Sequence, residues 1–171
     1  MSEVRTKAAR AKKSSRSLAV LSTSQKNEAL RSVAYAITSE SERILQANEQ
    51  DMENGKRNGL SQALLDRLLL TDSRLEDMVN GLEALIALPD PVGEVMASWG
   101  REDGLQLEQV RVPLGVIGMI YEARPNVTVD AAGLGIKTGN VMLLRGSSSA
   151  LQSNRTLVEV IQSGLEQTDA P

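Results

Sequence analysis

Two groups of residues in this sequence have the types and spacing to do chemistry. Arg145-Gly146-Ser147-Ser148-Ser149 follows directly on the aliphatic run Val141-Met142-Leu143-Leu144, so a guanidinium and three hydroxyls fall where a strand would hand over to a helix. In a strand–helix–strand nucleotide-binding unit, the residue closing the second strand meets the adenosine ribose; an acid there binds the 2′-hydroxyl, whereas an arginine accommodates a 2′-phosphate. Arg145 stands 24 residues beyond Tyr121 with no Asp or Glu beside it. The serines offer hydroxyls and unpaired N–H groups at a helix start, which suits an anion. The pattern points to a phosphate-bearing ligand, set against the plainer reading of an exposed loop. The second group, Gly133-Leu134-Gly135 with Gly139, imitates a dinucleotide fingerprint. That fingerprint must follow a strand immediately, whereas these glycines sit late in a helical stretch, so they read as close-packing positions and a helix stop.

Composition removes whole classes of mechanism. The chain has no cysteine and no histidine, which excludes disulfides, thiolate nucleophiles, thiolate–zinc sites, imidazole bases and Ser-His triads together. Aromatic residues make up 2%, too few for base-stacking platforms. A net charge of -3 gives no general attraction to nucleic acid or acidic membranes. No apolar run approaches the ~18 residues of a membrane span, and a cytoplasmic protein is the simplest reading. The start is locally basic, with Arg5, Lys7, Arg10, Lys12, Lys13 and Arg16 against Glu3. It reads as a solvated helix face, with a transit peptide or a nucleic-acid arm as the alternatives; Ala8, Ala11, Leu18, Ala19 and Leu21 favour a helix docking on the next one.

The elements that must position the chemistry are legible from periodicity. Ser24 is the expected cap of a helix carrying Leu30, Val33, Ala34 and Ile37. Another helix starts near Ser39 or Ser41 and stops at Asn54-Gly55, and Ser61 caps a short one with Leu64, Leu65, Leu68 and Leu69. Leu75, Met78, Val79, Leu82, Leu85 and Ile86 keep a 3.6-residue period from Asp72 to Leu88, closed by Pro89; this stripe reads as core. After Asp90-Pro91 the period falls towards two, and residues 94–112 read as a β-hairpin with one half-buried face, turning at Glu102-Asp103-Gly104. Gly115 to Tyr121 and Val141 to Leu144 suit strands buried in a parallel sheet, joined by a helix beginning just beyond Pro125.

The longer wording is specific. Val110 to Asn140, followed by an aliphatic strand, Arg145-Gly146-Ser147-Ser148 and Leu151-Gln152-Ser153-Asn154, resembles the γ-glutamyl phosphate reductase family of the aldehyde dehydrogenase superfamily. The likeness extends upstream through Met96-Ala97-Ser98-Trp99 and the segment from Leu18 to Leu30, and so covers nearly the whole chain. It implies an α/β fold: an N-terminal helical layer over residues 1–90, a β-hairpin oligomerisation arm over 91–112, and the first, incomplete part of a Rossmann-like parallel-sheet domain over 113–171. It implies NADPH as cofactor, γ-glutamyl phosphate as substrate, glutamate 5-semialdehyde as product, a place in proline biosynthesis and a homo-oligomer built through the arm. By position, Ile120, Tyr121, Glu122 and Ala123 would lie along the cofactor, Arg145 would contact the ribose or its 2′-phosphate beside Gly146, Ser147, Ser148 and Ser149, and Asn126 would approach the reacting carbonyl oxygen.

The same resemblance implies a limit. The family's reaction runs through a cysteine thiolate that displaces phosphate before hydride transfer, and this chain has no cysteine. The expectation is therefore the N-terminal part of a reductase, inactive by itself. The alternative is a non-catalytic module that acts by associating with full-length subunits. No metal site, nucleic-acid partner or membrane partner is expected.

Overall fold

A computed structural model describes residues 2–170; Met1 and Pro171, the outer bounds of the expected segments, lie outside the described residues. Five helices come first: α1 (Glu3–Leu18), α2 (Thr23–Ser39), α3 (Ser41–Arg57), α4 (Gln62–Leu68) and α5 (Asp72–Ala87). An antiparallel hairpin of β1 (Val95–Gly100) and β2 (Gln106–Val110) follows. The chain then forms β3 (Val116–Ile120), α6 (Asn126–Lys137), β4 (Val141–Arg145), a single 3-10 turn at Ser148–Ala150, and α7 (Leu151–Leu165). The fold is α/β, as expected from the sequence.

The core is helical and centres on α2, which packs against α5, α6 and α7. Leu30, Val33 and Ile37 of α2, Leu82 of α5, Val129 of α6 and Leu157 and Val160 of α7 are all at most 1% exposed. Burying an aliphatic side chain stabilises by about 1.5–3 kcal/mol, so this shared patch is what holds the N-terminal helices to the βαβ unit. The basic helix α1 docks differently from the sequence expectation: it lies against β4 and β3 through Ala11 and Leu18 rather than on α2.

Local signals are displaced by a few residues in two places. Ser22, not Ser24, caps α2, because Gln25 completes a reciprocal capping box with it. α3 runs through Gly55 to Arg57 and stops at Gly59, which takes the left-handed conformation at φ 72. Gly55 instead faces Leu60 and Leu65 at a distance that leaves no room for a side chain.

β3 and β4 pair in parallel, with Val116 opposite Val141 and Ile120 opposite Arg145. The helix between them ends at Gly139 (φ 70). A Cβ at Gly133 would lie 2.7 Å from Leu82 Cδ2, and one at Gly135 2.6 Å from Met142 Cγ, so these glycines serve packing, as their spacing indicates. The two strands are half-covered rather than fully buried, and Ile120 is exposed.

The hairpin departs further from expectation. Its register runs from Val95 opposite Val110 to Gly100 opposite Gln106, with a bulge between Val95 and Ala97. Neither face is buried: every β1 residue is exposed, and only Leu107 in β2 is half-covered. Its root is fixed by Asp90, whose carboxylate accepts from Lys26 Nζ at 2.9 and 3.1 Å, from Thr23 Oγ1 at 2.9 Å and from the Val92 N–H at 3.0 Å. A second buried ammonium, Lys137, donates to Asn27 Oδ1 and to the Ile86 carbonyl beside this pair.

Candidate functional site

The parallel register carries the site. Because Ile120 lies opposite Arg145, and the Tyr121 N–H donates to the Arg145 carbonyl at 3.1 Å, both strands end at one level. Ile120, Tyr121, Arg145 and Gly146 are thereby brought together at the carboxyl ends of β3 and β4. In open parallel sheets that edge is where ligands bind. Arg145 is exposed, and its guanidinium folds back to donate to the Gly146 carbonyl.

The turn beyond Arg145 is tightly made. Ser147 caps the 3-10 turn, its hydroxyl accepting from the Ser149 N–H at 3.2 Å. A Cβ at position 146 would fall 2.3 Å from Asn154 Nδ2 and 3.1 Å from the Tyr121 ring, so a side chain here would have to push the Asn154 amide aside. Beneath it, Tyr121 Oη lies 2.6 Å from Thr128 Oγ1, which donates to Asn154 Oδ1 at 3.0 Å. Thr128 is fully buried and Asn154 half-buried.

The helix start that follows does not offer the open anion site the serines suggest. The Asp51 carboxylate, on α3, accepts from the Gln152 N–H at 3.2 Å, and from the Ser153 N–H and hydroxyl at 2.8 Å each. The protein's own anion thus fills the positive end of α7. Asn48 continues this buried connection, donating to Ser153 Oγ and the Leu68 carbonyl while accepting from the Leu70 N–H. Ser148 and Ser149 face a separate polar groove of about 240 Å³ shared with Asp51, Asn54 and Gln152.

The remaining expected residues lie on the α4–α5 side of the β3–α6 turn. Glu122 pairs with Arg67 at 2.9 Å, and Ala123 is half-buried in the turn. Asn126 opens α6 and donates to Asp130 Oδ2 at 3.1 Å. Both line a groove of about 330 Å³ with Arg124 and Asp77. Loss of solvent pushes the Asp130 carboxyl above the usual range, and the Asn126 amide pulls it partly back. The structure therefore splits the candidate set: Ile120, Tyr121, Arg145, Gly146 and Ser147 form one cluster, whereas Asn126 and the pair Ser148/Ser149 face other grooves.

Asp51, Thr128 and Asn154 were not legible as site residues. Asp51 meets Ser153 across 102 positions of sequence, and no local pattern signals a carboxylate capping a distant helix. Thr128 and Asn154 sit inside helical runs, where polar residues ordinarily read as solvent-facing. Among the described residues no group of acidic, histidine or cysteine side chains could hold a metal ion. Among the described residues no helix is long and apolar enough to cross a membrane.

No family model matches the chain. The chain is 54% identical over all 171 residues to γ-glutamyl phosphate reductase of Anoxybacillus flavithermus, spanning 41% of that protein. It is 59% identical over 169 residues to the enzyme of Moorella thermoacetica, spanning 40% of it. Among solved structures, γ-glutamyl phosphate reductase of Thermotoga maritima superposes with a TM-score of 0.97 at 44% identity, covering 99% of this chain and 41% of that one. The Saccharomyces cerevisiae enzyme gives 0.94 at 31% identity, covering 100% and 45%. A probable aldehyde dehydrogenase of Listeria monocytogenes, at 17% identity and a TM-score of 0.68, shares the fold over 99% of this chain.

Proposed function

We propose that this chain, homologous throughout its length to part of the γ-glutamyl phosphate reductases, forms the nucleotide-binding side of such an enzyme. The chain spans about two-fifths of the length of the relatives it matches. On this reading residues 1–90 brace the nucleotide unit, residues 91–112 form an arm for association with a second subunit, and residues 113–171 hold NADPH. The reaction served is reduction of γ-glutamyl phosphate to glutamate 5-semialdehyde in proline biosynthesis.

The observation that carries the reading is the level ending of β3 and β4, with Tyr121 bonded to Arg145 and the turn closed tightly at Gly146. The residues fit the ribose-phosphate end of a dinucleotide. Arg145 supplies an exposed guanidinium suited to a 2′-phosphate, and a side chain at Gly146 would fill the turn. Bound NADPH would supply a hydride. This chain's own part is to hold and orient: Ile120 and Tyr121 flank the strand end, and Asn126, at the start of α6, has an amide suited to polarising a carbonyl oxygen. The family's thiolate has no counterpart among these 171 residues, so the chain alone binds without turning over.

Titration of the purified chain with NADPH, followed by nicotinamide fluorescence, tests the reading, alongside an assay for γ-glutamyl phosphate reduction. Saturable binding without turnover is the expected result. NADPH oxidation that depends on γ-glutamyl phosphate would refute the assigned inactivity, and absence of binding would refute the nucleotide site. The uncovered hairpin favours a second reading, a non-catalytic module that works by joining longer subunits. Association with a full-length reductase without NADPH binding would support that reading instead.

A further inference from the structure

The direction of the hydrogen bonds beneath Gly146 fixes an unused donor. Thr128 has one hydroxyl hydrogen and gives it to Asn154 Oδ1, so the 2.6 Å contact with Tyr121 is made by the Tyr121 hydroxyl donating. The order is Tyr121 to Thr128 to Asn154. In this arrangement the Asn154 amide has its oxygen on Thr128 and its Nδ2 against Gly146, on the spot a side chain at 146 would occupy. Nδ2 has no acceptor among the described residues, yet no side-chain atom there is both buried and unsatisfied. It is therefore a donor not sealed from solvent, on an amide that the buried Thr128 hydroxyl holds beside the turn that carries Arg145.

We propose that Asn154 is a ligand-binding residue of the nucleotide site, its Nδ2 donating to a ribose or phosphate oxygen of the dinucleotide, and that Thr128 is the positioning residue that aims it. This rests on the nucleotide-site reading and adds to it two residues 26 positions apart in sequence. A phosphate or ribose oxygen is the right class of acceptor, since the amide has donors to give and the neighbouring guanidinium favours negative charge. Gly146 suits the same arrangement, because a methyl group there would displace the amide that Thr128 holds.

The test is dinucleotide affinity of the whole chain, measured by fluorescence titration with NADPH and by calorimetry with NADP+. Asn154→Leu and Thr128→Val are each expected to weaken both by about tenfold, the scale of one hydrogen bond to a polar or charged acceptor. Thr128→Ser keeps the hydroxyl and is expected to restore binding to within about twofold. Circular dichroism and the unfolding midpoint without ligand identify any variant that has lost its fold. If Thr128→Val fails to fold, Asn154→Asp decides in its place: it keeps the acceptor for Thr128, removes the donor, and should weaken NADPH more than Asn154→Leu does. Wild-type affinity in folded Asn154→Leu overturns the proposal while leaving the nucleotide site standing. Wild-type chain that binds neither dinucleotide overturns the site itself, and the proposal with it.

Discussion

The buried Asp51 carboxylate and the half-buried Asp90 carboxylate each hold distant elements together, and each makes a prediction. Asp51 accepts three hydrogen bonds from the start of α7. Asp51→Ala leaves those donors without a partner and is expected to destabilise the chain by about 2–4 kcal/mol, read from the urea midpoint. Asp51→Asn keeps an acceptor oxygen and should lose less. Asp90 neutralises Lys26, which is 1% exposed. Burial pushes the Asp90 carboxyl up, but the Val92 N–H, the Lys26 ammonium and the Thr23 hydroxyl outweigh it and hold it below the usual range. Its contribution is therefore complete above the ordinary carboxylate value of about 3.9 and is lost as pH falls through the lower folded value. Asp90→Ala should remove that acid-limb dependence and cost about 3–5 kcal/mol near neutrality, since it strands a buried ammonium. Burial is also the main cause that lowers Lys137, with Asp90 opposing and Lys26 adding to it. Folding thus gains stability as pH climbs between that lowered value and about 10.4.

At the level of elements, the glycines of α6 separate packing from ligand binding. Gly135→Ala would set a methyl 2.6 Å from Met142 Cγ and 2.8 Å from the Asn140 carbonyl. Backbone cannot give way as a side chain can, so the helix-propensity gain of about 1 kcal/mol should be outweighed by overpacking of about 1–3 kcal/mol. The measurable outcome is a lower unfolding midpoint with unchanged NADPH affinity; a stabilised protein would show that β4 moves to accommodate the methyl. The elements themselves were readable because apolar periods report one face at a time: Leu30, Val33, Ala34 and Ile37 of α2 and Leu75, Met78 and Leu82 of α5 lie in the core, with Val79, Leu85 and Ile86 packed on its edge. Boundaries were less so, since Ser22 and Ser24 both resemble caps until Gln25 is paired with one of them. The site was half legible for a similar reason. Arg145 and Gly146 announce themselves after an aliphatic run, whereas the Asp51 cap and the Tyr121–Thr128–Asn154 chain exist only once distant helices meet.

For the molecule as a whole, the hairpin is the part least explained by its own chain. Val95, Met96, Trp99, Leu105 and Val110 are all at least 41% exposed, on a two-stranded ribbon that is marginal in water without cover. Pairing with a second subunit would supply that cover. Trp99 is the sole tryptophan, so its emission reports on the arm alone. We expect the emission to shift to the red on dilution as the arm is uncovered, in step with a fall in sedimentation mass. A spectrum independent of concentration would show that the arm stands free.

The filled end of α7 also decides how the proposed site should respond to ionic strength. With Asp51 already on those N–H groups, a cofactor phosphate at this turn would draw its attraction from the exposed Arg145 rather than from a sheltered helix terminus. Exposed charges are screened over about 8 Å in physiological salt. Added potassium chloride should therefore erode the preference for NADPH over NADH while leaving the affinity for NADH nearly constant, making selectivity, rather than binding, the salt-sensitive property of the chain.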